Sequence, residues 1–397
     1  MQSDPPDDLP RVLVVHNAYQ QRGGEDVVVE AEVELLRSKG HSVALYSRHN
    51  EEVPALSKLQ LASQTLWSHK TTSEVGRLIE QFRPAVMHVH NTFPLMSPSI
   101  YWEASRQGIP VVQTLHNFRL LCAQGMLLRE GNVCEDCLGT LPWRGVLHRC
   151  YRQSTTQTAA LVGMLALHRA LRTYRRKVTR YIALNEFCRG KFIEGGLPAE
   201  RIDVKPNFID LRTPPQGNRG GGLFVGRLAP EKGLSTLIEA LRSTPDVTID
   251  VIGTGPLEAE VRACPQMRWL GWLPAEAVYD RMRTAAYLVM PSLWYENFPR
   301  ALVEAFACGL PVVAARLGAM AELIDDGRTG ILYEAASVVD LARALKRMDS
   351  NPALVRQLGC AALLEYEAKY TPEANYRTLM RIYRDAESLG RSGAYVQ

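Results

Sequence analysis

The sequence has no long hydrophobic run, no secretory signal and no large excess of charge. Its best apolar candidate, residues 159–167, is about half of the roughly 20 residues that a membrane-spanning helix needs. The N-terminal sequence MQSDPPDDLP is acidic and proline-rich, whereas a signal peptide begins with basic and apolar residues. The net charge of +4 is too small to indicate nucleic-acid binding by itself. These absences predict a soluble protein of the cytoplasm.

Two patterns of nucleotide-dependent enzymes are also missing. The G-x-G-x-x-G fingerprint of ordinary dinucleotide-binding domains is absent, and no Asp-x-Asp is evident at a strand end. No internal repeat indicates a solenoid. The 397 residues are too many for one ordinary core and suit two domains of about 150–200 residues each. An apolar content of 46% and a charged content of 22% are typical of a globular protein.

Short apolar runs alternate with helical patterns along most of the chain, which predicts two Rossmann-like halves with parallel sheets. The rhythm is lost over residues 203–222, where TPPQGNRGGG indicates a linker. The predicted strands are residues 11–16, 42–46, 85–90, 111–116, 181–184, 223–225, 247–252, 267–270, 286–290, 311–314, 318–324 and 330–333. The predicted domains are a tail (1–10), a first domain (11–208), a second domain (209–372) and a C-terminal helix (373–397).

Residues 291–311, PSLWYENFPRALVEAFACGLP, follow a predicted strand and lead into a helix that starts near Pro299. Glu296 lies in the loop, and Glu304 follows about two helical turns later. Ligands of open α/β sheets bind at this edge, so the two carboxylates could hold two hydroxyl-rich parts of one ligand. The alternative is a pair of ordinary surface glutamates.

Other strand ends carry candidate ligand groups. Gly23 and Gly24 follow the first predicted strand. His90 and His116 are the last residues of the predicted strands 85–90 and 111–116. In the second half, the loop GRLAPEKG places two cations where a strand gives way to a helix. Arg227 and Lys232 could clamp a diphosphate there, although a mixed-charge surface loop remains the alternative.

Residues 121–151 interrupt the βα rhythm with four of the eight cysteines. Because the chain shows no export signal, clustered cysteines indicate a metal site more than disulfides. The spacing C-x11-C-x2-C-x12-C suits a structural zinc site, with His148 as an alternative ligand and four reduced thiols as the other outcome. The predicted zinc ligands are Cys122, Cys134, Cys137 and Cys150.

A basic segment closes the helical pattern predicted for residues 154–180. The helix 169–180 could lie on an anionic membrane surface or bind nucleic acid, and a solvated helix face is the simpler alternative.

Taken together, GRLAPEKG, GTGP, the stretch around Glu296 and GAMAELIDDGRTGILY resemble the second domain of retaining glycosyltransferases, the large group that includes bacterial mannosyltransferases and sucrose synthases. Glu296 and Glu304 match that group's E-x7-E motif, and GGED resembles its glycine loop. The resemblance implies the GT-B fold, in which two Rossmann-like domains face each other across a cleft and a C-terminal helix crosses back to the first. Asn117, where the family often has Asp, and the cysteine insert depart from the family pattern; the insert resembles a CEDCLG-containing subset.

The resemblance also implies roles. Arg227 and Lys232 would hold the diphosphate, Glu296 the sugar hydroxyls and Glu304 the ribose, while His116 would contact the sugar near the reacting carbon. No catalytic metal is expected, because the two cations would replace it. The remaining donor-binding residues would be Gly23, Gly24, Gly226, Gly255, Asn297, Phe298, Pro299 and Leu302.

The expected partners are a UDP- or GDP-sugar donor and a carbohydrate or lipid-linked acceptor, without nucleic acid. The expected location is cytoplasmic, with peripheral contact at the inner face of the membrane as an option. A nucleotide-sugar epimerase of the same fold and a membrane- or nucleic-acid-binding protein are the alternatives. Donor turnover that requires an added acceptor distinguishes a transferase from an epimerase.

Overall fold

The structure of the protein is a computed structural model that describes residues 9–211 and 219–391. The predicted tail (1–10) and the segment TPPQGNRGGG (213–222) fall mostly outside the described residues, as does the C-terminal helix beyond residue 391.

The N-terminal half is built on a parallel sheet. Its strands are β1 (Val12–Ala18), β2 (Val43–His49), β3 (Val86–Asn91), β4 (Val111–Thr114), β5 (Leu128–Arg129), β6 (Asn132–Val133), β7 (Arg180–Ala183) and β8 (Ile202–Val204). Its helices are α1 (Gly24–Ser38), α2 (Lys58–Leu66), α3 (His69–Phe82), α4 (Ser99–Arg106), α5 (Arg144–Leu147), α6 (Thr155–Ala170), α7 (Thr173–Arg176) and α8 (Glu186–Glu194). The sheet order is β2-β1-β3-β4-β7-β8, and β5 and β6 form a separate antiparallel hairpin.

The C-terminal half repeats this plan. Its strands are β9 (Gly222–Val225), β10 (Ile249–Ile252), β11 (Met267–Gly271), β12 (Tyr287–Met290), β13 (Val312–Ala315) and β14 (Gly330–Tyr333), in the order β11-β10-β9-β12-β13-β14. Its helices are α9 (Leu234–Arg242), α10 (Glu258–Ala263), α11 (Ala275–Thr284), α12 (Arg300–Ala307), α13 (Gly318–Leu323), α14 (Val338–Asp349), α15 (Pro352–Lys369) and α16 (Pro372–Arg391). The strand pairs within both main sheets are parallel, so the carboxyl ends of all strands in one half lie at the same edge of its sheet.

The central strands are apolar on both faces because helices cover both sides of each sheet. β1, β3, β12 and β13 are buried almost throughout, as expected for continuous Val, Ile and Leu runs in parallel sheets. The order of strands reverses at β1 in the first half and at β9 in the second. Loops at such reversal points form the usual ligand crevice of α/β sheets.

The final helix, α16, returns to the N-terminal sheet. Its buried residues Leu379, Ile382, Tyr383 and Ala386 share one apolar cluster with strands β1, β3, β4 and β7. The Tyr383 hydroxyl also lies 2.8 Å from Nδ1 of the buried His88 on β3. The predicted return of the C-terminal helix is confirmed over the described residues.

The strand predicted at residues 318–324 is wrong, because this segment is helix α13. Its buried residues Ala319, Met320 and Leu323 follow a helical spacing. Glu322, on the same helix, accepts hydrogen bonds from the amides of Glu186 (2.9 Å) and Phe187 (2.6 Å) at the start of α8. The short segment is therefore helical because it docks against the N-terminal half.

The basic segment predicted as one helix over residues 169–180 is only partly helical, because it contains the end of α6 and the short helix α7 with a break between them. α6 ends at Ala170, Arg172 adopts a left-handed backbone (φ 55°), and strand β7 begins at Arg180. The chain turns here because buried Thr173 is fixed by hydrogen bonds from Trp102 (2.9 Å) and with His168 (3.0 Å). Several of the cations serve the fold itself. Arg169 donates to the carbonyls of Leu120 and Thr140, and Lys177 to the Ser105 hydroxyl.

Within the part of the chain that the structure describes, no helix is both long and apolar enough to cross a bilayer.

Candidate functional site

The facing strand edges enclose a cleft of 460 Å³ between the two halves. The cleft brings together eight of the sequence-predicted residues, which are Gly24, His116, Gly226, Lys232, Glu296, Asn297, Phe298 and Pro299. Gly23, Arg227, Leu302 and Glu304 lie close along the chain to cleft-lining residues without lining the cleft themselves. Gly255, in the loop after β10, does not line the cleft either. A larger cavity of 760 Å³, between α1 and the α15–α16 connection, contains none of the predicted residues.

Glu296 lies in the loop between β12 and α12, and its side chain is nearly buried. Three groups donate to its Oε1 atom: Nζ of Lys232 (2.6 Å), Oγ of Ser292 (2.8 Å) and Nε1 of Trp294 (3.1 Å). Its Oε2 atom receives no protein hydrogen bond from the described residues. One carboxylate oxygen is therefore fixed by the protein, and the other is left for a ligand.

The N-terminal half helps to fix this loop. The side-chain amide of Asn185, which caps α8, donates to the backbone carbonyl of Asn297 over 2.6 Å. The Cys188 thiol lies 3.5 Å from the same carbonyl. Asn185 follows the predicted strand 181–184, so its place at a strand end was the available sequence signal.

Glu304 lies one turn into α12, where its Oε1 accepts hydrogen bonds from Nε of Arg300 (2.7 Å) and from the Tyr279 hydroxyl (3.3 Å). Arg300 lines the cleft, so it links Glu304 to the cleft wall. Leu302, on the same helix, is fully buried and packs in the core of the C-terminal half.

The diphosphate clamp predicted from GRLAPEKG is only partly assembled. Lys232 lines the cleft, whereas the Arg227 side chain is 64% exposed and pairs with Glu231. The neighbouring glycines allow a close approach of loops. A Cβ at Gly255 (φ 158°) would lie 2.5 Å from the Leu228 carbonyl oxygen, and one at Gly233 (φ 71°) 1.8 Å from that of Pro291. These loops therefore need glycine for their own packing.

The first-half glycine loop opens onto the cleft. Gly23 precedes α1, and its amide donates to the Asp26 carboxylate over 2.7 Å. The other oxygen of Asp26 bonds to Nε2 of His16 on β1 over 2.8 Å. A Cβ at Gly24 would meet no atom within 4 Å. Open space at Gly24 leaves room for a ligand to approach the start of the helix.

His116 reaches the cleft from the end of β4. Its Nε2 atom lies 2.9 Å from Nδ1 of His90, so the two strand-end histidines are hydrogen-bonded to each other. Burial lowers the pKa of His116 well below its usual value, and the neighbouring His90 lowers it further. Both imidazoles are therefore neutral near pH 7.

Sequence reasoning missed Glu25, which lines the cleft on the first turn of α1. Its carboxyl accepts hydrogen bonds from the Tyr19 hydroxyl (2.9 Å) and the Asn117 amide (3.5 Å), while its Oε1 atom is buried without a partner. Burial raises its pKa to about 7. Glu25 is the third residue of the GGED motif, but the motif gave no signal that this acid would be buried.

Changing Glu25 to Gln is expected to alter how stability depends on pH. A carboxyl whose pKa in the folded state is raised above its ordinary value of 4.5 favours the folded state below pH 4.5, and this advantage is lost as the pH rises through 7. The Gln variant should therefore be more stable than the parent by about 3 kcal/mol at pH 8.5 and should lose this difference near pH 4.5. Urea unfolding across this range measures it. Glu34→Gln, an exposed site on α1, should change little, and equal pH profiles for both variants would contradict the assignment.

The four insert cysteines occupy one region of the N-terminal half. Cys122 is buried, and Cys134, Cys137 and Cys150 are half-buried. Burial and the neighbouring thiols raise the pKa of Cys150 to about 11, and they also raise that of Cys137. The thiols are thus near enough to influence one another, although among residues 9–211 and 219–391 no three of them come within 4.8 Å.

Comparisons with known proteins give a consistent result. A family model described as Glycosyltransferase Family 4 matches residues 22–213, and one described as Glycosyl transferases group 1 matches residues 221–351. The chain is 31% identical over 269 residues to the phosphatidyl-myo-inositol mannosyltransferase of Mycobacterium leprae. The aligned region covers 64% of this chain and 70% of that protein. An uncharacterized glycosyltransferase of Methanocaldococcus jannaschii is 30% identical over 176 residues, covering 43% of this chain and about half (49%) of that relative.

Solved structures share the fold at lower identity. Sucrose-phosphate synthase from Thermosynechococcus elongatus superposes with a TM-score of 0.69 at 17% identity, over 96% of this chain and all of that one. Anabaena HepE, in complex with UDP-glucose, gives 0.63 at 17% identity, over 95% of this chain and all of that one.

Proposed function

This chain belongs to the glycosyltransferases of family 4 and group 1, and on that premise we propose that it moves a sugar from a nucleoside-diphosphate-sugar donor to a hydroxyl acceptor with retention of configuration. The observation that carries the proposal is the pair formed by Lys232 and Glu296 in the interdomain cleft. It offers a cation to a leaving diphosphate and, beside it, a carboxylate to sugar hydroxyls.

The donor is proposed to be a UDP- or GDP-sugar. A nucleotide-sugar lying across the cleft would put its diphosphate at Lys232 and its ribose at Glu304. The exposed Arg227 side chain would change rotamer to reach the same diphosphate. The UDP-glucose complex of HepE, which shares the fold, supports a donor of this class. The backbone near Gly24 and Gly226 would approach the phosphates, since both glycines line the cleft.

We propose front-face transfer without a covalent enzyme intermediate. The bond from the anomeric carbon to the leaving phosphate oxygen breaks, the acceptor oxygen bonds to that carbon on the same face, and the acceptor proton passes to the leaving phosphate. Oε1 of Glu296 accepts from three donors, and these stabilise the carboxylate and make it a poor nucleophile. Glu296 therefore orients the sugar through Oε2. A glycosyl adduct trapped on Glu296 would contradict this mechanism.

No catalytic metal is proposed for this step, because Lys232 and Arg227 supply the positive charge that the leaving diphosphate needs. The acceptor is proposed to be a hydroxyl group of a glycan, a lipid-linked sugar or a small molecule. A lipid-linked acceptor would bring the protein to the inner face of the membrane.

Donor binding is expected to raise the melting temperature of the protein. A ligand that binds only the folded state stabilises it by about 2.7 kcal/mol at 100 times its dissociation constant. For domains of this size, that corresponds to roughly 5–10 °C. A thermal-shift screen of UDP- and GDP-sugars measures the effect, with UMP and GMP as controls that lack the second phosphate. If no nucleotide sugar raises the melting temperature more than the matching monophosphate does, the proposal is contradicted. Conversion of the donor without any added acceptor would favour an epimerase.

We also propose that Cys122, Cys134, Cys137 and Cys150 hold a structural zinc ion, which would draw the thiols together and release their protons. The support is four thiols in one insert that already influence one another's pKa values. Metal analysis of the purified protein should give about one zinc per chain, and Cys137→Ser should lose it. Cys360→Ser, an exposed cysteine outside the insert, is the control. Less than half an equivalent in the parent would argue against the site.

A further inference from the structure

A buried line of polar side chains runs from the cleft into the interior of the N-terminal half. His116, which lines the cleft, is hydrogen-bonded to His90 on β3 over 2.9 Å. Nε2 of His90 in turn lies 3.5 Å from Oε1 of Glu32 on α1. The His90 and Glu32 side chains are 1% and 2% exposed. The proposed transfer step uses neither of them.

Glu32 is an ionised carboxylate in this interior. Burial alone would raise its pKa, but the Lys205 ammonium and His88 lower it well below its usual value. Nζ of Lys205 lies 2.8 Å from Oε2, and Nδ1 of His88 lies 3.0 Å from Oε1. A carboxylate in this state only accepts hydrogen bonds.

The cluster is not suited to a metal ion, although ligand atoms of Glu32, His88 and His90 lie within 4.8 Å of one another. The Lys205 ammonium already supplies a positive charge to the carboxylate. The two nitrogens of His88 are also engaged, by the Tyr383 hydroxyl and by Oγ1 of Thr114, each at 2.8 Å. The group is therefore held by hydrogen bonds and by charge, and Nε2 of His90 lies 3.5 Å from the Glu32 carboxylate with no hydrogen-bond partner among the described residues.

The charge of Glu32 sets the proton positions along the line. A neutral imidazole carries one N–H, and the carboxylate favours that N–H on Nε2 of His90. Nδ1 of His90 is then a bare acceptor, so Nε2 of His116 must donate to it. This leaves Nδ1 of His116 as a bare acceptor, and within the described residues it has no protein partner.

We propose that Glu32 and His90 are positioning residues, which fix the His116 tautomer so that Nδ1 accepts a hydrogen bond from a hydroxyl of the donor sugar. The inference rests on the proposed function and specifies the sugar class that the site takes. A bare nitrogen pairs with a hydroxyl and repels an anion, so the position facing His116 suits a neutral sugar rather than a uronic acid.

The test is a double variant, Glu32→Gln with Lys205→Met, which removes the carboxylate without leaving the buried ammonium unpaired. A carboxamide can donate to Nε2 of His90, which would reverse the line and put the proton on Nδ1 of His116. Nitrogen-15 NMR of histidine-labelled protein distinguishes protonated from bare ring nitrogens. We expect Nε2–H on His116 in the parent and Nδ1–H in the double variant. The KM for the donor should rise about tenfold.

The matched control is His88→Gln. His88 is as buried as His90 and lies near the same carboxylate, but its two ring nitrogens bond to Tyr383 and Thr114 and not to His116. It should lower stability and leave both the His116 tautomer and the donor KM unchanged.

An Nδ1–H tautomer of His116 in the parent would overturn the inference, and this measurement needs no variant to fold. An unchanged tautomer in a folded double variant would overturn it as well. Both readouts are made without donor, so they are independent of the proposed function, which fails instead if no nucleotide sugar raises the melting temperature.

Discussion

Replacing Lys232 by Met is expected to lower sugar transfer by about 10²–10³-fold, the usual cost of removing one preorganised group that stabilises transition-state charge. Lys232 is the cation that already lines the cleft, and its ammonium lies 2.6 Å from Glu296. The substitution removes the charge from the leaving diphosphate and also leaves Glu296 with two donors, Ser292 and Trp294. Release of the nucleoside diphosphate under saturating donor measures the change.

Lys39→Met provides a matched control for this measurement. Like Lys232, Lys39 forms a 2.6 Å ion pair with a glutamate, in this case Glu373. Each ammonium also lies near an aromatic ring, at 5.1 Å from Tyr376 for Lys39 and 5.5 Å from Trp294 for Lys232. It lies at the other cavity, outside the interdomain cleft. Transfer rates for Lys232→Met within threefold of the Lys39→Met rate would contradict the role given to Lys232.

Replacing Gly233 by Ala is expected to destabilise the C-terminal half by about 2–5 kcal/mol. The left-handed backbone (φ 71°) costs an alanine roughly 1–2 kcal/mol, and the overlap of its Cβ with the Pro291 carbonyl adds a packing penalty of about 1–3 kcal/mol. That carbonyl belongs to rigid backbone at the start of the loop that carries Glu296. The loop must therefore move, so donor binding should be lost together with stability.

Gly108→Ala isolates the steric part of this effect. Gly108 has the same φ of 71°, but a Cβ there would meet nothing within 4 Å. Its variant should lose only the backbone term of roughly 1–2 kcal/mol. Urea unfolding of both variants gives the comparison. If both variants lose the same free energy of unfolding, the contact with Pro291 does not contribute to the destabilisation.

Much of the fold follows from the sequence because its central strands are continuous apolar runs that end in loop signals. Residues 85–90 and 286–290 were predicted as strands and appear as β3 and β12. The solved structures at TM-scores of 0.69 and 0.63 confirm the GT-B arrangement of two facing sheets. The loop position of Glu296 was predictable too, since Pro299 and the following periodicity mark the start of α12.

The errors arose where tertiary contacts decide local structure. GAMAELI has no pattern long enough to separate strand from helix, and its docking on α8 through Glu322 makes it helical. The helical pattern of residues 154–180 did not indicate that the helix ends before Thr173, whose buried hydroxyl is hydrogen-bonded to His168.

In the buried network around Glu32, only the strand-end histidines His90 and His116 had a sequence signature. Lys205 and Glu32 are 173 residues apart, and only the folded sheet brings them to 2.8 Å. The pairing of Lys232 with Glu296 was missed for a similar reason. Each group was assigned to a different part of the donor, and their contact depends on how β9 and β12 lie side by side.

The return of α16 to the first sheet also has a consequence for how the protein is made. The ribosome produces the N-terminal half first, yet part of the apolar cover of β1 and β3 belongs to α16, as does the Tyr383 hydroxyl that contacts His88 from 295 residues further along the chain. The C-terminal half has its own core and needs no later segment for its sheet. The half that is synthesised first is therefore completed last, and during translation part of its sheet face is exposed and could be shielded by a chaperone.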